Sequence, residues 1–201
     1  MFSQNLREDV VSWIDAKTAL LQYNLKSQLC AKLYKLMLFK EILFPEDVLN
    51  EDEFTTYRLA YECDRIGFTS AKLYYYYQHG DSIMDNIAKK LKASPHKYDW
   101  LYMYVDRIEF FEAKNEQEQV LKTYEKICVD IILRNTEQLH IKKLERDPAV
   151  NKGEYIRTYR FFYKKMIHRK GMPLKRKFIY TLFYIMPVSA LIGEKFIPLR
   201  K

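Results

Sequence analysis

KLYKLMLFKEILFPEDVLNEDEFTTYRLAYECDRIGFTSAKLYYYYQHGDSIM, residues 32–84, is the stretch whose division into elements decides the fold. Residues 32–41 read as a short helix, closed by residues 42–45 because the residue ahead of Pro45 is pushed away from helical angles. Asn50 opens a longer helix: it is a good N-cap, Glu53 stands three residues on as in a capping box, and Phe54, Tyr57 and Tyr61 form an apolar stripe. Gly67 ends that segment. Residues 66–69 and 73–78 are short aromatic or β-branched runs, the one convincing β signal, expected to pair or to join a sheet contributed elsewhere.

Upstream, residues 9–29 are predicted helical, with Val10, Ile14, Leu20, Leu21 and Leu25 at roughly helical spacing. From about residue 97 onward the chain is helical throughout. Leu101, Tyr104, Val105, Ile108 and Phe111 make one stripe, and Val120, Tyr124, Ile127, Ile131 and Ile132 make another. Asp147-Pro148 and Lys152-Gly153 mark a break. The fold class expected is therefore α+β, mainly helical, with a small β element and a helical C-terminal extension.

The 201 residues suit one domain, which buries roughly 70% of its unfolded surface on folding. Five glycines are few for glycine-rich phosphate loops, and neither G-x-G-x-x-G nor G-x-x-x-x-G-K occurs. Cys30, Cys63 and Cys128 are odd in number and widely spaced, as free thiols in a reducing cytosol would be. The four histidines pair with neither Cys nor each other at metal-ligand spacing. The opening MFSQNLRED has no apolar stretch of the signal-peptide kind.

Charge divides the chain unevenly. Residues 141–201 hold 16 Lys+Arg against 4 Asp+Glu, which leaves 18 and 22 for residues 1–140. A basic tail on a mildly acidic body is expected to meet an anionic surface. In the tail, Arg157, Arg160, Lys164 and Lys165 fall broadly opposite Ile156, Tyr159, Tyr163, Met166 and Ile167. Lys175-Arg176-Lys177 then precedes an apolar run, residues 178–193. As a helix that run reaches about 24 Å, short of the roughly 30 Å hydrocarbon core, and Pro187 interrupts it. It is expected to lie in the membrane interface or to pack on the protein's own helices.

The Glu51-Asp52-Glu53 triplet, on spacing alone, is a first helical turn whose charges suit the helix dipole. Taken with Phe44-Pro45 before it, the FTTYRL helix after it, Lys32-Leu33-Tyr34 and the segment YYYYQHGDSIM (residues 74–84), it resembles the acceptor half of family 2 glycosyltransferases of GT-A type. In that family an acidic residue of an E-D pair after the F-P segment takes the proton of the acceptor hydroxyl, which implies Asp52 as catalytic base with Glu51 as neighbour or substitute. The family's segment usually runs close to YYYRQRENSIM, with basic residues near the donor diphosphate. Here Tyr77 and His79 replace the two arginines, while Gln78, Ser82, Ile83 and Met84 are kept. The resemblance thus implies Gln78, His79 and Ser82 on the substrate side, and Lys32 beside the acceptor.

What the resemblance implies further is an inverting transfer of a hexose from a nucleotide sugar to a cell-surface polysaccharide or lipid-linked glycan. The place is the cytoplasmic, inner face of the membrane. The family uses Mg²⁺ or Mn²⁺ held by a D-x-D motif, and no D-x-D occurs in this sequence. The family's nucleotide-binding half normally precedes such a block, so residues 1–140 are expected to be an acceptor-side region lacking that half and inactive alone, and residues 141–201 a basic amphipathic tail. The alternative is a non-catalytic, membrane-peripheral helical module, or a partner subunit for a separate donor-binding half. Nucleic acid is not an expected partner: the tail is too apolar for a phosphate-tracking surface, and no recognised motif is present.

Overall fold

Residues 11–22, 28–48, 50–75, 77, 99–140 and 152–187 are described by the computed structural model. Among them the chain is mainly helical, with six α-helices and one two-stranded sheet, the α+β class expected. Two compact units divide after Asp106.

The first unit contains strand β1 (Val11–Asp15), helix α1 (Ala16–Gln22), a 3-10 turn (Leu36–Phe39), helix α2 (Glu51–Tyr61) and strand β2 (Arg65–Thr69). Strand β1 replaces the front of the helix expected over 9–29. Its β-branched and aromatic residues pair antiparallel with β2, Trp13 opposite Gly67 and Asp15 opposite Arg65, and the Arg65 guanidinium lies 4.6 Å from the Trp13 ring centre. The helix starts only where the Asp15 carboxylate accepts the Thr18 amide at 2.9 Å, an N-cap that ends one element and begins the next. The Thr18 hydroxyl and amide hold the Asp15 carboxyl below its usual range. The β2 expectation holds; its partner is β1, and residues 73–75 and 77 form no strand.

The short helix expected over 32–41 is only a 3-10 turn. Leu33, Leu36 and Met37 are all exposed, so no apolar face is buried, and so short a helix is marginal without tertiary packing. Helix α2, by contrast, buries Thr55, Thr56, Tyr57, Leu59 and Ala60 and packs against α1, whose Ala16 and Ala19 are buried.

Helix α3 (Asp99–Ala113) runs across the division between units. It ends at Asn115, whose φ of 57° is left-handed, with the Glu116 amide returning to the Phe111 carbonyl at 2.8 Å. That six-to-one bond is a Schellman closure, which asparagine tolerates. Helices α4 (Gln117–His140), α5 (Lys152–Met166) and α6 (Leu174–Ile185) follow. The predicted α4 stripe is the core of this unit: Val120, Tyr124, Ile127, Ile131 and Ile132 are all buried. Helix α5 lays Tyr159, Phe162 and Met166 against it, with Arg157, Arg160, Lys164 and Lys165 outward. Buried Cys128 on α4 faces the Tyr159 carbonyl at 4.0 Å, and burial lifts its thiol well above the ordinary range. Gly171, with φ 77°, makes the turn into α6, a conformation that costs glycine little.

One carboxylate gathers this unit. Glu125 on α4, with 8% of its side chain exposed, accepts Arg169 at 2.7 Å, Arg176 at 3.1 Å and the Tyr180 hydroxyl at 3.0 Å. Arg169 also reaches Glu118 at 2.7 Å. The face of α6 that enters the core is completed by Tyr159 donating to the Tyr180 carbonyl at 2.8 Å, by Phe183 edge-on to Tyr159, and by Tyr184 stacked on Tyr163. Helix α4, counted by charge with the acidic body, therefore packs with the basic helices. Glu125→Ala is expected to cost about 1.5–3 kcal/mol, the range for hydrogen bonds to a charged group, read from the urea midpoint; an unchanged midpoint would contradict this role.

Candidate functional site

The acidic triplet occupies the first turn of α2, and its three side chains leave the helix in different environments. Glu51 is exposed, whereas Asp52 and Glu53 are half-buried. Asn50 precedes them in left-handed conformation (φ 59°, ψ 50°) and makes no side-chain cap. The expected capping box is therefore not built as read: the Glu53 amide bonds the Asn50 backbone carbonyl at 2.9 Å. Asparagine is one of the few residues that adopts this backbone readily, and with φ positive its side chain cannot serve the N-cap geometry of extended backbone.

The far half of α2 is tied down within the same unit. Tyr57 donates to Asp106 at 2.6 Å and Arg58 pairs with its other oxygen at 2.6 Å. The Thr55 hydroxyl bonds back to the Glu51 carbonyl at 3.0 Å. These bonds fix the helix that carries Asp52.

Asp52 sits in a neighbourhood that suits a proton acceptor. Burial, then the Glu53 and Glu51 carboxylates, hold its carboxyl above the usual range, while the Glu53 amide and the Lys32 ammonium pull the other way. Tyr34 belongs to the same neighbourhood: burial raises its phenol, and the Asp52 carboxylate adds to that. The Tyr34 hydroxyl is buried without a hydrogen bond of acceptable geometry, although Thr56 lies near enough to oppose its shift. Lys32, anchored by its ammonium on the Gln28 carbonyl, is close enough to act on Asp52. The structure thus brings Asp52, Lys32 and Tyr34 together.

Tyr34 was not singled out from the sequence, although the K-L-Y element that contains it was the signal. Gln78, His79 and Ser82 lie outside the described residues; Tyr77, described, is exposed. Among the described residues no three His, Cys, Asp or Glu side chains converge on a point that a cation could occupy. Three successive helical carboxylates point apart and do not substitute for D-x-D, so they do not fit Mg²⁺ or Mn²⁺.

The raised Asp52 carboxyl has a definite sign in stability. Its folded form holds its proton above the pH at which the unfolded chain releases it, so folding loses stability as pH rises through that window. Asp52→Asn removes the titration. Its thermal midpoint relative to the parent chain is expected to increase between about pH 4 and about pH 7; a difference flat with pH would rule out a raised carboxyl.

No family model matches this chain, and no curated protein or solved structure is similar to it.

Proposed function

We propose that this chain supplies the acceptor side of an inverting glycosyl transfer, in a GT-A-type arrangement completed by a donor-binding half. The observation that carries the reading is Asp52: a half-buried carboxylate at a helix entrance, shifted toward proton uptake, beside Lys32 and the buried Tyr34 hydroxyl. The acceptor hydroxyl of a polysaccharide or lipid-linked glycan attacks the anomeric carbon of a nucleotide sugar. Its proton passes to an Asp52 oxygen as the new C–O bond forms, and the electron pair of the breaking bond leaves with the nucleotide diphosphate. Glu51, exposed one position earlier, serves as neighbour or substitute, and Lys32 and Tyr34 orient the acceptor. Gln78, His79 and Ser82 stand on the donor side by the same resemblance. The cytoplasmic face of the membrane is the place where such donors and lipid-linked acceptors meet.

A second reading has its own observation. Glu51, Asp52 and Glu53 fill the first turn of α2, where acidic side chains stabilise a helix with no chemistry required. On that reading the chain is a non-catalytic, membrane-peripheral module.

The purified chain alone is expected to turn over no nucleotide sugar; turnover would show that no second half is needed. Paired with a donor-binding half that restores transfer, Asp52→Asn is expected to lower kcat by about 10²–10⁴, the usual contribution of a general base, with acceptor affinity retained. An unchanged kcat would remove Asp52 from the chemistry and leave the non-catalytic reading standing.

A further inference from the structure

We infer that the outward stripe of α6 is a docking face for an anionic lipid bilayer, on which the helix lies flat. This inference stands apart from the transfer chemistry and uses none of the residues assigned to it.

Three large apolar side chains on α6 are left in water: Leu174 is 83% exposed, Phe178 67% and Ile185 64%. At about 100° per residue they fall within about 40° of one another, on the side opposite buried Tyr180 and Phe183. The inner face is fully occupied by Glu125, Tyr159 and Tyr163. The outer stripe is therefore not a misread core face but a second apolar surface on the same helix.

Charge identifies the occupant. Exposed Lys175 borders the stripe about 80° to one side, half-buried Lys177 lies about 80° to the other beside Thr181 and Tyr184, which meet Tyr163, and α6 contains no acidic residue. Arg176, between them, turns to Glu125 and is already neutralised there. A stripe of Leu, Phe and Ile bordered by lysines matches the boundary between acyl chains and anionic headgroups: the rings and branched chains enter the apolar layer while the ammonium groups remain at phosphate level. The helix lies along the surface rather than through it. Its 12 residues reach about 18 Å, and no described helix is long and apolar enough to cross a membrane.

The test is flotation of the full chain with vesicles of phosphatidylcholine alone and of phosphatidylcholine with phosphatidylglycerol, roughly three to one, at low and at physiological salt. Binding to the anionic vesicles is expected. The Phe178→Ser/Ile185→Ser variant should weaken it by on the order of tenfold or more, the scale for withdrawing such side chains from an apolar layer. Lys175→Gln/Lys177→Gln should weaken binding to the anionic vesicles alone. Phe178, Ile185 and Lys175 are exposed and Lys177 is half-buried beside Thr181 and Tyr184, so circular dichroism of both variants checks that they fold. Phe178→Trp supplies a readout independent of affinity: its added fluorescence should shift to the blue with anionic vesicles. Retained binding in Phe178→Ser/Ile185→Ser, or no blue shift, would overturn the inference. So would equal flotation with uncharged vesicles. A concentration-dependent dimer, seen by light scattering and abolished by Phe178→Ser/Ile185→Ser, would assign the face to a second copy of the chain instead.

Discussion

The second unit hangs on a single buried carboxylate. Glu125 would be costly to leave in the interior of a helical packing without partners, and both its oxygens are engaged: Oε2 by Arg169, Oε1 by Arg176 and Tyr180. The partners come from the turn after α5 and from α6, so this one group sets where the chain re-enters the core. Removing a partner from such a cluster is worse than never having built it, because the charge remains. The same requirement fixes the rotation of α6 about its axis. With Arg176 and Tyr180 committed inward, Leu174, Phe178 and Ile185 have no choice but to face outward. The basicity of the tail is also divided by this cluster: part of it is spent inside the protein on Glu118 and Glu125, and the rest is displayed.

The first unit obeys a different constraint. Its sheet joins residues 50 to 58 positions apart, and α1 and α2 pack across that closure with small side chains, Ala16 and Ala19, at the contact. Asp106 then clamps α2 through Tyr57 and Arg58. A rigid helix is what allows Asp52 to be held in a partly desolvated position at all. Left to relax, the carboxylate would turn to water and take its ordinary acidity.

How much of this was readable from residue order depends on the range of the forces involved. The α4 stripe was legible because Val120 through Ile132 repeat at helical spacing and the helix is long. Helix α5 was legible for the same reason, its basic and apolar residues segregating as expected. Strand β1 was not: Val11 to Ile14 can continue a helical pattern locally, and only pairing with distant Arg65–Thr69 makes them a strand, although Asp15 ahead of Thr18 carried the local cue of an N-cap. The 32–41 segment failed from the opposite cause, a plausible local pattern with nothing to pack against. At the candidate site, Asp52 and Lys32 were named and are neighbours. Asn50 does not cap as its residue type suggests, because capping depends on a backbone angle that composition does not specify. Tyr34 carries no such signal in the sequence, because burial of its hydroxyl is a property of packing, not of spacing.

Cys128 has a consequence of its own. Alkylating reagents and oxidants act on the thiolate, and this sulfur lies among the packed faces of α4 and α5 with its ionisation suppressed. It is thus chemically silent for as long as those two helices stay together, while Cys30 and Cys63 are half-exposed. The chain carries a built-in clock of its own opening: the delay before the third sulfur is labelled measures how often the helical unit comes apart.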